Sequence, residues 1–213
     1  MKNKSQKYLI FDFDGVLVDS LEQIAVAIKQ IYKRFSFLPI STIKFGIVEY
    51  MDFPKHAKKN HLSLKKQQQT IKDLQEAGQV MITNNKVLPF SGFIKQLKTL
   101  RNCRMAIVSS GYEDYINHFA KPLSLPFEQI LGVETSLSKE EKVNLICKKW
   151  SINVKNCYYF TDTKSDVIEL EQILDKNKII GCGWGWQGKK KLELVLPNSQ
   201  IMVNFTDIND ILK

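Results

Sequence analysis

Residues 7–20 decide the fold class, and they read Lys-Tyr-Leu-Ile-Phe-Asp-Phe-Asp-Gly-Val-Leu-Val-Asp-Ser. Their nearly continuous apolar run up to Phe13 favours a β-strand that is buried on both faces of a parallel sheet. The run ends at Asp14-Gly15, a pair that is typical of turns. Because side chains alternate along a strand, we expect Asp12 and Asp14 on the same side, at the strand's carboxyl end.

A helix is predicted after this strand, because Ser20 and Gln23 have capping-box spacing and apolar residues recur at helical intervals up to Phe35. Later apolar runs predict further strands at 104–109, 156–161, 178–182 and 200–203. Helical patterns occur between or after them, at 92–100, 113–119, 139–150, 166–174 and 207–212. This alternation predicts an α/β fold, a doubly wound, Rossmann-like parallel sheet with right-handed crossovers.

One long segment interrupts the alternation. From about residue 36 to residue 88 no comparable strand occurs, and 45–51, 55–64 and 67–83 favour helix. We therefore expect an α/β core of residues 1–19 and 89–213, with a small helical cap domain of residues 20–88 inserted into it.

The charge is uneven along the chain. The whole sequence has 31 Lys and Arg against 22 Asp and Glu, a net charge of +9, and residues 20–88 alone hold 11 basic and 5 acidic residues. This excess indicates either a solvated basic face or a field that attracts an anionic substrate. Nucleic-acid binding is disfavoured, because the lysine runs lack interleaved aromatic residues and match no nucleic-acid motif.

The sequence also bears on location and redox state. No apolar run approaches the roughly 18 residues of a membrane span, and no apolar segment of about 7–15 residues follows the first lysines, as it would in a secretory signal. The cysteines form no CxxC pair and are interpreted as reduced core thiols: Cys103, Cys147, Cys157 and Cys182. We expect a soluble cytoplasmic protein, and the oligomeric state is left open.

Polar side chains also follow two later predicted strands. Ser109 and Ser110 come after the second strand, and Asp162 and Asp166 come after the third. Ligands of open parallel sheets bind at the carboxyl ends of the strands, so we expect these groups near the first pair of acids. Carboxylates gathered there repel one another unless a cation offsets them. Oxygen ligands favour Mg²⁺, which commonly binds a substrate phosphate as well.

These motifs, in this order, resemble the haloacid dehalogenase superfamily, in the branch whose helical cap is inserted after the first motif. The resemblance extends from Tyr8 to Leu212, and the last helix is similar to those of phosphoglycolate-phosphatase-like members. Thr161 departs from the glycine that the family usually has before the acid at 162.

The resemblance implies the chemistry of the first two motifs. Asp12 would be the nucleophile that forms an aspartyl-phosphate. Asp14 would protonate the leaving alkoxide and then, as a base, activate water. Ser109, with Ser110 beside it, would bind the phosphoryl group.

The resemblance also implies the metal ligands and a lysine. Mg²⁺ would be held by the side chains of Asp12 and Asp162 and by the backbone carbonyl of Asp14. Asp166 would bind the ion as well or lie just behind these ligands. We assign the lysine that binds the phosphate and offsets the nucleophile's charge to Lys139, because it opens the helix that precedes the third motif. The alternative candidate for this lysine is Lys142.

The resulting hypothesis is a Mg²⁺-dependent phosphatase that acts on a small anionic phosphate ester. Asp14 disfavours the dehalogenase branch, which has no acid there, and no lysine of the insertion is marked as the Schiff-base residue of a phosphonatase. A sugar-phosphate mutase shares the apparatus and stays open, as does a non-catalytic protein that binds anions or nucleic acid. Residues 183–188 match GxGxxG but lead into three lysines, which disfavours a dinucleotide site.

Overall fold

A computed structural model describes residues 6–50 and 63–213 and places their strands in two sheets. In chain order the strands are β1 (Lys7–Phe11), β2 (Val18–Asp19), β3 (Leu88–Pro89), β4 (Cys103–Val108), β5 (Phe127–Leu131), β6 (Cys157–Thr161), β7 (Ile179–Cys182) and β8 (Ile201–Met202). The main sheet has six strands in the order β5-β4-β1-β6-β7-β8, and its pairings are parallel. The chain winds outward from β1 in both directions, which confirms the predicted doubly wound α/β fold.

Helices cover the sheet and form the inserted segment. They are α1 (Leu21–Ile31), α2 (Ile40–Tyr50), α3 (Leu64–Asn84), α4 (Ser91–Thr99), α5 (Glu113–Ala120), α6 (Lys139–Trp150), α7 (Lys164–Leu170), α8 (Gly188–Leu192) and α9 (Ile208–Ile211). We call α1, α2 and α3 the cap helices. Helix α1 packs against α2 and α3, and α3 also packs against α5. Of the predicted helix at 55–64, all but the last two residues lie outside the described part of the chain.

The central strand β1 is buried on both faces. Leu9 and Phe11 pack with residues of α4 and α5, whereas Ile10 packs on the opposite face with residues of α6 and α7. All three side chains have no solvent exposure. An unbroken apolar run at residues 8–11 is therefore what this position in the sheet requires, because neither face can accept a polar residue.

The inserted segment leaves and rejoins the core at one place. Strands β2 and β3 pair antiparallel, with Val18 opposite Pro89 and Asp19 opposite Leu88. The two connections between the sheet and the cap helices therefore lie side by side.

Several local predictions need correction. Ser20 is the N-cap of α1 but makes no side-chain capping bond, and α1 ends at Ile31 because Tyr32 leaves helical geometry (φ −100°, ψ 102°). Strand β5 is not apparent from the sequence, because Glu128 and Gln129 interrupt its apolar pattern at the edge of the sheet. The lysines after residue 188, which are not predicted to be helical, lie in the short helix α8.

The cysteines are free thiols. Cys147, Cys157 and Cys182 are buried, and Cys103 is partly exposed. The Sγ atoms of Cys147 and Cys157 lie 3.1 Å apart between α6 and β6.

Within residues 6–50 and 63–213, no helix combines the length and apolarity needed to cross a membrane. The cytoplasmic location stays a prediction.

Candidate active site

The topology of the main sheet brings the predicted motifs to one edge. Strand β1 lies between β4 and β6, and all three run in the same direction. Asp12 follows β1, Ser109 follows β4 and Asp162 follows β6. Their side chains line one cavity, although up to 150 residues separate them in sequence. This edge is also where the winding of the chain changes direction, a common ligand site in α/β sheets.

Lys139 joins two of the acids. Its ammonium group donates hydrogen bonds to Asp12 Oδ2 and to Asp166 Oδ2, each at 2.6 Å. The three side chains are almost completely buried. Asp166 Oδ2 also accepts a hydrogen bond from the hydroxyl of Thr161 at 2.7 Å. The threonine that replaces the family's usual glycine therefore helps to hold Asp166 in place.

Electrostatics at this edge favour an added cation. Burial raises the pKa of Asp12 to about 7, against the opposing effect of Lys139. Burial, together with the charge of Asp12, raises the pKa of Asp162 well above its usual value. Burial alone would lower the pKa of Lys139, but the charges of Asp12 and Asp166 raise it well above its usual value. One ammonium group thus faces more carboxylates than it can neutralise.

One carboxylate oxygen of Asp162 has no hydrogen-bond partner among the described residues. Its Oδ2 accepts a hydrogen bond from the backbone N–H of Trp186 at 2.6 Å, whereas its buried Oδ1 has no hydrogen-bond partner in the described structure. Glycines allow the close approach, since a Cβ at Gly15 would lie 2.0 Å from Oδ2 and one at Gly185 would lie 2.3 Å from the Asp162 Cβ. A buried, unpaired carboxylate oxygen is costly unless something binds it.

The donor set fits one Mg²⁺ ion. Among the described residues, no group of three His, Cys, Asp or Glu side chains could enclose a metal by itself. Mg²⁺ does not need such a group, because it usually binds one or two carboxylates and completes its octahedron with water and substrate phosphate. Asp12 and Asp162, with its unpaired oxygen, are the two carboxylates that could bind such an ion.

Asp14 is held by a tyrosine. The hydroxyl of Tyr115, on α5, donates a hydrogen bond to Asp14 Oδ1 at 2.7 Å. Burial raises the pKa of Asp14, and the hydrogen bond from Tyr115 opposes the rise. A raised pKa suits a group that must donate a proton near neutral pH. Tyr115 cannot be recognised from the sequence, because a tyrosine in an apolar helical pattern has the signature of an ordinary core residue.

The two candidate lysines have different partners. Lys142 has no solvent exposure, and its ammonium group donates hydrogen bonds to the backbone carbonyls of Ser109, at 2.5 Å, and Gly132, at 3.2 Å. Lys139 instead reaches the carboxylates. Lys142 therefore anchors the loop that carries Ser109, whose Oγ accepts a hydrogen bond from the N–H of Gly111 at 3.0 Å.

We expect the Lys142→Met substitution to lower the free energy of unfolding by about 2–4 kcal/mol, because two buried carbonyls lose their donor. Urea denaturation measures this change. The matched control is Lys148→Met, on the exposed face of the same helix. Equal stability of the two variants would contradict the anchoring role.

The acids open into a cavity of about 240 Å³ between the sheet edge and the cap helices. Ser110 and Trp186 line it from the core. Trp186 also packs against the apolar cluster of Ala25, Ile43 and Ile47 in the cap helices. Trp184 lies elsewhere, and its ring contacts those of Phe90, Phe93 and Phe205.

Comparisons with known proteins agree with this architecture. A family model described as haloacid dehalogenase-like hydrolase matches residues 9–170. A comparison with curated proteins finds no match.

Solved structures share the fold over almost their whole length. A predicted phosphatase from Clostridium acetobutylicum is 16% identical with a TM-score of 0.72, covering 97% of both chains. A predicted phosphoglycolate phosphatase from Haemophilus somnus is 16% identical with a TM-score of 0.71, covering 98% of both chains. A haloacid dehalogenase-like family hydrolase from Streptococcus pneumoniae is 16% identical with a TM-score of 0.70, covering 98% of this chain and 99% of that one. Since the family model covers most of the sequence, the chain belongs to the haloacid dehalogenase-like hydrolase family.

Proposed function

We propose that this hydrolase is a Mg²⁺-dependent phosphatase that cleaves a small phosphate monoester through an aspartyl-phosphate at Asp12. The observation that carries the proposal is the buried contact of Lys139 with Asp12 and Asp166, beside the unpaired oxygen of Asp162. Two of the similar structures are described as predicted phosphatases, which is consistent with this chemistry.

The first half of the reaction transfers the phosphoryl group to Asp12. A carboxylate oxygen of Asp12 attacks phosphorus, the bond from phosphorus to the ester oxygen breaks, and Asp14 gives its proton to the leaving oxygen. The hydroxyl of Ser109 donates a hydrogen bond to a phosphoryl oxygen, and Lys139 offsets the charge that Asp12 and the phosphate share. Bound Mg²⁺ would neutralise charge between the nucleophile and the phosphate.

The second half regenerates the enzyme. The Asp14 carboxylate takes a proton from a water molecule, and the water oxygen attacks phosphorus. The bond between phosphorus and Asp12 then breaks, releasing inorganic phosphate and the free Asp12 carboxylate. Tyr115 keeps Asp14 directed at the reacting oxygens through both halves, because its hydrogen bond fixes one carboxylate oxygen.

The cap domain of residues 20–88 is part of the proposal. We expect the paired strands β2 and β3 to act as the hinge, since both connections pass through them. Closure of the cap helices over the acids would exclude water while the phosphoryl group is transferred.

A cavity of about 240 Å³ favours a small substrate over nucleic acid. Nothing in the described lining supplies a second phosphate site, so no observation favours a mutase over a phosphatase.

Metal dependence tests the proposed ion. We expect EDTA to abolish hydrolysis of p-nitrophenyl phosphate and Mg²⁺ to restore it. The Asp162→Asn substitution should raise the Mg²⁺ concentration for half-maximal activity at least about tenfold, because a carboxylate ligand is lost. The exposed Asp210→Asn variant is the control. Activity that survives chelation, or an unchanged Mg²⁺ requirement in Asp162→Asn, would contradict the proposal.

A further inference from the structure

The cavity has an apolar wall on the side of the cap helices. Its side chains come from all three cap helices and face the space above the acids: Ile24, Ile28, Ile47, Leu74, Ala77 and Met81. Such a wall stabilises an apolar part of a substrate by removing it from water.

In the described part of this wall, one side chain is charged. Asp73, on α3, lines the cavity together with Tyr32 at the end of α1. Asp73 Oδ2 accepts a hydrogen bond from the Tyr32 hydroxyl at 2.5 Å, and Asp73 Oδ1 accepts one from the side-chain amide of Gln69 at 2.7 Å. These two donors fix the carboxylate within the wall. Burial and the Asp73 charge raise the pKa of Tyr32 above its usual value, so its hydroxyl remains a donor.

Within residues 6–50 and 63–213, no ion pair offsets the charge of Asp73. Both of its hydrogen-bond donors are neutral, and among the described residues no cationic group lies within ion-pair distance of it. Arg34 packs instead over the rings of Tyr32 and Phe35, 5.3 and 4.7 Å from their centroids. A carboxylate has about four acceptor positions, so Asp73 can accept further hydrogen bonds.

We infer that the leaving group of the substrate carries a protonated amine on an apolar spacer, and that this amine binds Asp73. The inference rests on the proposed phosphatase function. A half-buried carboxylate beside an apolar wall attracts a cation, accepts a hydrogen bond from a hydroxyl less strongly and repels another anion. The substrate class is therefore the phosphate monoesters of amino alcohols rather than those of hydroxy acids.

A matched substrate series tests this inference. Linear alkyl phosphates of increasing chain length, ending in an ammonium, hydroxyl or carboxylate group, are compared by kcat/KM with Mg²⁺ present. At the best chain length we expect the ammonium ester to exceed the carboxylate ester at least about tenfold, because a charged hydrogen bond replaces a like-charge contact.

Variants at Asp73 test whether this residue causes the preference for the ammonium ester. The Asp73→Asn substitution should lower the ammonium-to-hydroxyl ratio of kcat/KM about tenfold, and Asp73→Lys should shift the preference to the carboxylate ester. The control is Glu76→Gln, which removes an acid from the same helix outside the cavity and should leave the ratio unchanged.

The outcomes separate the inference from the proposed function. Hydrolysis with equal kcat/KM for the three end groups, a preference for the carboxylate ester, or a preference that survives Asp73→Asn would overturn the inference and leave the phosphatase standing. If the protein hydrolyses neither p-nitrophenyl phosphate nor any ester of the series, both the inference and the proposed function are overturned.

Discussion

Replacing Asp12 by asparagine is expected to lower kcat/KM for p-nitrophenyl phosphate by about 10⁴-fold or more, about 5–6 kcal/mol of transition-state stabilisation. The asparagine keeps the size of the side chain but removes the nucleophilic oxygen and the charge that pairs with Lys139. Phosphate release measured with excess Mg²⁺ checks the effect.

Two controls make the result interpretable. Asp210→Asn removes an exposed carboxylate on the last helix and should retain full activity. A far-UV circular dichroism spectrum equal to that of the wild type shows that Asp12→Asn is folded. A folded Asp12→Asn protein with substantial activity would rule out Asp12 as the nucleophile.

The Asp14→Asn substitution is expected to produce an effect that depends on the leaving group. Hydrolysis of an alkyl phosphate should fall about 10²- to 10⁴-fold, because its alkoxide needs a proton from Asp14. The phosphoryl group of p-nitrophenyl phosphate should still be transferred, since nitrophenolate leaves without protonation. Its aspartyl-phosphate should then accumulate, because Asp14 no longer activates water.

Stopped-flow absorbance checks this prediction. We expect a burst of nitrophenol that matches the enzyme concentration, followed by slow turnover. Equal losses for alkyl and aryl esters without a burst would contradict the role of Asp14 as acid and base.

The sequence predicted the parts of the site that follow buried strands. The run before Asp12 is apolar because β1 is covered on both faces, and acids that end such a strand have no packing role there. Parallel pairing then brings the end of β6, with Asp162, to the same edge. Local pattern and topology together were therefore sufficient to find these residues.

Contacts between distant segments could not be predicted in the same way. Lys139 and Lys142 are three residues apart and both face inward from α6, so their partners depend on how that helix sits on the sheet. Tyr115 and Asp14 are separated by 101 residues. No local pattern distinguishes a tyrosine that hydrogen-bonds a carboxylate at the sheet edge from one that only fills the core.

The pocket proposed for the leaving group also could not be predicted from the sequence. Tyr32 and Asp73 are 41 residues apart on different helices, and they meet only because α1 packs against α3. The insertion has an excess of basic residues, yet the charged side chain that lines the described wall of the cavity is an acid. Composition reports the whole surface of a segment, whereas specificity depends on the few side chains that face the ligand.

Trapping the phosphoenzyme tests the central claim most directly. The protein is mixed with a radiolabelled phosphate ester and Mg²⁺, quenched in acid within the first turnover and digested, and the labelled peptide is identified. The account predicts acid-stable, base-labile label on the peptide that contains Asp12 and none in the Asp12→Asn variant. Rapid hydrolysis with no label on the protein, or label on another peptide, would contradict it.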